Sequence, residues 1–154
     1  MKRFTILLVS ILFFAATHAQ TSNDAFDKNK NFTGALAEKD IYKAIFQLDN
    51  ADTNIIKKTF ININNALNDE RLKNKLQVEL IAFAGGTNAY LKNSKYENDL
   101  KQLVQRGVIV AQCNNTLILR KISRDSIYNF IGIVPSGVGE LILRQSQGWT
   151  IIKP

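Results

Sequence analysis

The sequence predicts an α/β fold, a three-layer α/β/α sandwich around a five-stranded parallel sheet. Five short apolar runs recur between residues 41 and 152. Segments with helical spacing or helix-capping residues separate them. The runs are apolar at successive positions rather than at alternate ones, as in strands covered on both faces. Right-handed crossovers between such strands place helices over the sheet.

The first run, residues 41–48 (IYKAIFQL), is a strand ended by Asp49-Asn50. Asp52 is a suitable N-cap for the helix that follows, in which Ile55, Ile56, Phe60, Ile63 and Leu67 recur at helical spacing. Its other face carries Lys57, Lys58, Asn62 and Asn65. Residues 78–84 (VELIAFA) form a second strand, closed by Gly85-Gly86, and residues 87–91 a short helical turn. Tyr96, Leu100, Leu103 and Val104 mark another helix, stopped by Gly107 in the left-handed conformation. Residues 108–111 (VIVA) are the third strand. Asn114 or Asn115 can then cap a short helix running to Arg120, and Ser123 another that carries Ile127 and Tyr128. Residues 131–134 are the fourth strand, ended by Pro135-Ser136-Gly137. Val138, Leu141 and Ile142 mark the last helix, Gly148 stops it, and residues 149–152 are the fifth strand. No internal repeat interrupts this order.

The chain opens MKRFTILLVSILFFAATHAQ. Lys2 and Arg3 form a basic start, residues 4–16 an apolar stretch short for a bilayer span, and Thr17-His18-Ala19 supplies small residues at a cleavage point before Gln20. The expectation is a signal peptide over residues 1–19, export to a periplasmic or secreted location, and no stable membrane insertion after cleavage. No cysteine follows the cleavage point to carry a lipid. Residues 20–39 are polar and without a sustained period, and read as a flexible segment leading to a domain over 40–154.

Loss of Lys2 and Arg3 lowers the net charge from +7 to +5. The remaining cations are scattered, with no dense basic run interleaved with aromatics, so a nucleic-acid partner is not expected. The single histidine, His18, leaves with the signal. That removes Ser-His-Asp and Cys-His catalysis and every histidine-based metal site. One cysteine builds neither an internal disulfide nor a structural zinc site. With no EF-hand spacing, no GxGxxG and no GxxxxGK[ST], no cofactor or metal is implied.

In parallel α/β sheets, ligands bind outside the carboxyl ends of the strands. Those ends are Asp49-Asn50, Gly85-Gly86, Cys113-Asn114 and Pro135-Ser136-Gly137. Each has a plain structural reading as well. The glycines can serve a tight turn, Asp49 a turn, and Ser136 a helix cap. Cys113 has the sharper alternative. A thiol at a helix start is favoured as thiolate by the unpaired N–H groups there, and can attack, carry a persulfide or oxidise. With only small residues expected around it, Cys113 is expected to be partly accessible and more acidic than an ordinary thiol. The opposing reading is a buried cysteine that simply packs.

The pieces "VELIAFAGG", "RGVIVAQCNNTL" and "VPSGVGELILRQSQGWTIIKP", in this order, resemble the DsrE/DsrF-like family, including its small YchN-type members, over about residues 41–154. The resemblance implies a sheet ordered 4-3-2-1-5, with the third strand between the second and fourth. It implies that Cys113, which follows the third strand, is the reactive cysteine of a sulfur relay. It also implies a homo-oligomer, a trimer or hexamer, and a sulfur donor or acceptor protein as partner. Two departures stand out: relay members work in the cytoplasm, and this chain has no second cysteine. The expected function is a thiol-based persulfide carrier or sulfur-transfer accessory protein using Cys113. The alternative is a non-catalytic small-anion or partner-binding protein with a structural cysteine. Whether the protein is an enzyme stays open at this point.

Overall fold

The computed structural model describes residues 24–154. The signal-peptide reading of residues 1–19 lies outside the described residues. The chain divides into two units after Leu36. In the first, residues 24–30 are helical and exposed, where the sequence led us to expect no regular structure.

The second unit carries the sheet. Its elements are β1 (Tyr42–Leu48), α1 (Thr53–Asn68), β2 (Leu76–Ala82), a 3-10 turn (Ala84–Tyr90), α2 (Glu97–Gln105), β3 (Ile109–Cys113), α3 (Asn114–Leu119), a second 3-10 turn (Arg124–Ser126), β4 (Gly132–Val134), α4 (Gly137–Ser146) and β5 (Thr150–Ile152). All pairings within the sheet are parallel, and the order is β4-β3-β2-β1-β5, the order the resemblance implies.

Handedness then assigns the helices. The steps from β1 to β4 all move one strand in the same direction, so their right-handed crossovers fall on one face. Only the step from β4 back across the sheet to β5 runs the other way, and it carries α4 to the opposite face. Side-chain packing agrees. Ile56, Phe60 and Ile63 of α1, Leu100 and Leu103 of α2 and Leu117 of α3 pack with Ala44, Phe46, Leu48, Val78, Leu80 and Ala82. On the other face Leu141 of α4 packs with Ile45, Ile81, Ala111 and Trp149. The first face is closed by three helices and the second by one.

Local chemistry fixes the ends. The Asp52 side chain accepts the Asn54 N–H and caps α1, and the Ser136 side chain accepts the Gly139 N–H and caps α4. Ser123 caps the second 3-10 turn by accepting the Asp125 N–H; Ile127 and Tyr128 lie just beyond that turn. Gly107 (φ +85°) and Gly148 (φ +81°) end α2 and α4 in the left-handed conformation. The next N–H in each case reaches back to a helix carbonyl, Val108 to Leu103 and Trp149 to Arg144, both at 3.0 Å.

Candidate functional site

The loops after β1, β2, β3 and β4 meet at one edge, as parallel pairing requires. The Gly85 N–H donates to the Asp49 carbonyl at 3.1 Å, and the Asn115 N–H to the Pro135 carbonyl at 3.2 Å. Cys113, the last residue of β3, pairs in register with Val134, the last of β4.

Cys113 itself occupies the N-cap position of α3. The expected caps, Asn114 and Asn115, lie inside the helix instead. The strand runs further than its local sequence suggests, because Gln112 and Cys113 find partners in Ile133 and Val134. The sulfur makes no closed cap hydrogen bond to its own helix; donors act on it by direction and charge. Burial is the largest influence and disfavours the thiolate. The Thr116 hydroxyl and the backbone N–H groups of Gly137, Thr116 and Asn115 together outweigh it, so the thiol is more acidic than usual. Two helix starts, those of α3 and α4, thus supply N–H groups to one sulfur.

The expectation of accessibility is corrected. Cys113 is buried, at 5 % exposure. Its flanks are not as open as the small residues suggest, because larger groups from other elements fill the space. The Phe83 ring packs so closely on Gly137 that a Cβ there would lie 2.7 Å from it. Thr116, within α3 itself, is buried as well.

The other predicted residues have mainly structural partners. A Cβ on Gly86 would lie 2.0 Å from the Leu48 carbonyl oxygen, and one on Gly85 2.8 Å from the Ala51 nitrogen. The two glycines let the 3-10 turn interlock with the loop after β1, and backbone fills the space beside them. The Asp49 carboxylate accepts from Gln47 and from Lys153, both at 2.9 Å. Burial raises its pKa, but Lys153 and Gln47 outweigh that and hold it below the ordinary range. The Asn50 side chain accepts the Asp52 N–H, and the Ser136 hydroxyl is spent on its cap. Asn114 is half-buried and Pro135 exposed.

Three residues that the sequence reading passed over complete the site. Ala84 sits at φ +46°, in the left-handed region that non-glycine residues avoid. The Thr116 hydroxyl accepts its N–H at 3.1 Å, and Arg120 donates to its carbonyl at 2.8 Å. The available signal was the Cys-x-x-Thr spacing, which sets Thr116 where N3 side chains reach back toward the N-cap. Among the described residues no group of His, Cys, Asp or Glu gathers to hold a metal, and no helix is long and apolar enough to cross a membrane.

A family model for the DsrE/DsrF-like family matches residues 11–154. The chain belongs to the DsrE/DsrF-like family. Among solved structures it is similar to a protein of unknown function, MTH1491, from Methanobacterium thermoautotrophicum. The TM-score is 0.69 and the identity 29%, over 73% of this chain and 99% of that one. A conserved protein of unknown function, BT1422, from Bacteroides thetaiotaomicron shares the fold, with a TM-score of 0.59 and 14% identity over 79% and 100% of the two chains. Comparison with curated proteins gives no significant match.

Proposed function

We propose that this DsrE/DsrF-like protein is an exported, thiol-based sulfur carrier whose working group is Cys113. The observation that carries the reading is the convergence of hydrogen-bond donors from two helix starts and Thr116 on a single sulfur, which favours its anionic form. In the carrier reaction the Cys113 thiolate attacks the outer sulfur of a donor persulfide. The donor S–S bond breaks, an S–S bond to Cys113 forms, and the donor leaves as a thiolate. No net oxidation occurs and no second cysteine is needed. Delivery to an acceptor protein repeats the exchange in the other direction.

Burial of Cys113 favours a second reading, a non-catalytic binding protein with a packing cysteine. Alkylation with iodoacetamide across pH, with Cys113→Ser as control, separates the two. The carrier reading expects native protein to label with a midpoint below the usual value of about 8.5 and to take up sulfur from a small persulfide. Reaction only after denaturation overturns it.

Export is supported by the basic start, apolar stretch and small residues before Gln20. N-terminal sequencing of protein from the periplasmic or culture fraction is expected to begin at Gln20; intact Met1 in a membrane pellet overturns this. Self-association, as a trimer or hexamer, is supported by the sheet face that α4 alone covers. Ile109, Val138, Ile142 and Ile151 are left exposed there.

A further inference from the structure

We propose that Thr116 is a positioning residue for Cys113, and that the turn after β2 aims it. The inference rests on the reading of Cys113 as the working thiolate. A threonine hydroxyl has one proton and two lone pairs. One lone pair of Thr116 is occupied by the Ala84 N–H, at 3.1 Å. Thr116 is 8 % exposed, so water competes little for the proton. Its place three residues after the N-cap turns its side chain back toward Cys113. Among the described residues no other acceptor takes that proton, and the thiolate of Cys113, although it makes no closed bond in this structure, is placed to receive it. The same hydroxyl that steadies the turn donates to the thiolate.

The turn has to be rigid for this to hold, and the structure shows how it is held. Ala84 keeps a left-handed backbone at φ +46°, which costs free energy and persists only where its surroundings fix it. Arg120, at the end of α3, fixes it from the other side. Its Nη1 donates to the Ala84 carbonyl and its Nη2 to the Asn88 side chain, both at 2.8 Å. The Ala84 peptide is thus gripped at its N–H by Thr116 and at its carbonyl by Arg120. Arg120 sets Ala84, Ala84 sets the Thr116 hydroxyl, and the hydroxyl sets the sulfur.

The test titrates the Cys113 thiolate by its ultraviolet absorbance, against Cys113→Ser as baseline, with unfolding temperature measured beside it. Thr116→Val keeps the shape and loses the hydroxyl. It is expected to raise the midpoint by about one unit, a roughly tenfold loss of thiolate below the midpoint. Thr116→Ser restores the hydroxyl and is expected to stay within about threefold of the parent, as expected for a hydroxyl effect. An unchanged midpoint in Thr116→Val, whatever its unfolding temperature, overturns the proposal and leaves Thr116 as a tie for the turn. Where Thr116→Val does not fold, Thr116→Ala and the exposed Arg120→Ala carry the same comparison. Arg120→Ala is expected to raise the midpoint less than loss of the hydroxyl does, and no rise in either overturns the proposal. Sulfur uptake is not the readout. A shifted midpoint in a protein that takes up no persulfide therefore removes the carrier reading and leaves the role of Thr116 in place.

Discussion

An ideal Cβ on Gly86 lies 2.0 Å from the Leu48 carbonyl oxygen and 2.6 Å from its carbon. Both atoms are backbone of β1, a strand paired on both sides, so neither can swing aside. Gly86→Ala is therefore expected to cost at least about 3 kcal/mol, at the upper end of what overpacking does. Gly132→Ala is the matched control. Its Cβ would meet only the Val110 carbonyl oxygen, at 3.5 Å, an ordinary contact, and a cost below about 1 kcal/mol follows. Denaturant unfolding of the two variants checks this, and equal costs would show that the turn can shift. At this scale the sequence shows that Gly85-Gly86 turns the chain. It does not show that Leu48 and Ala51 lie behind it, because that proximity arises only when β1 and β2 pair.

Between elements, an ion pair with a buried carboxylate and a half-buried guanidinium ties β2 to α4. Arg144 Nε lies 2.7 Å from the Glu79 carboxylate and 2.9 Å from that of Glu140, and the guanidinium stacks 4.4 Å from the centroid of the Trp149 ring. Glu79 is 1 % exposed, and its second oxygen has no hydrogen-bond partner. Burial raises its pKa, Arg144 opposes this, and Glu140 adds to it. The folded state therefore holds this proton more tightly than the unfolded chain, whose glutamates titrate near about 4.3. The contribution of Glu79 to stability is greatest at low pH and is lost as pH rises through its raised folded value. Asp49 acts in the opposite sense and at lower pH, because its pKa is depressed. Glu79→Gln keeps an acceptor for Arg144 and removes the buried charge. It is expected to cost at most about 1 kcal/mol at pH 7 and more at pH 4, below the ordinary glutamate value, where the parent gains from protonation. Thermal unfolding at the two pH values checks it; equal differences reject it. None of this pairing is visible in VELIAFA, since Arg144 follows Glu79 by 65 residues. The elements themselves are largely legible: five apolar runs, the caps Asp52, Ser123 and Ser136, and the stops Gly107 and Gly148. What local pattern misses is set at long range, as in the extension of β3 to Cys113 by pairing with β4. Of the three apolar residues that mark α4, only Leu141 is buried, because periodicity does not tell a core face from a face left for another molecule.

Over the whole molecule, the strand order leaves one helix to cover a five-stranded face. Ile142 on that helix is 63 % exposed, although it belongs to the apolar pattern by which the helix is recognised. If copies of the chain associate there, light scattering gives the mass of a trimer or a multiple of it. Ile142→Asp is then expected to shift the protein toward monomer with less than about 0.5 kcal/mol lost, as for a surface position. A parent that is monomeric at all concentrations rejects the idea. The lone return crossing also sets a timetable. β1 is paired on both sides in the finished sheet, yet its second neighbour, β5, comes after the other four strands, and so does the helix that covers Ile45, Ile81 and Ala111. A chain folded only as far as Val134 would hold a sheet with an unpaired edge at β1 and one face bare. During that interval the chain is most exposed to strand-to-strand aggregation. Completion of Gly137 through Ile152 protects that edge and covers that face in a single step.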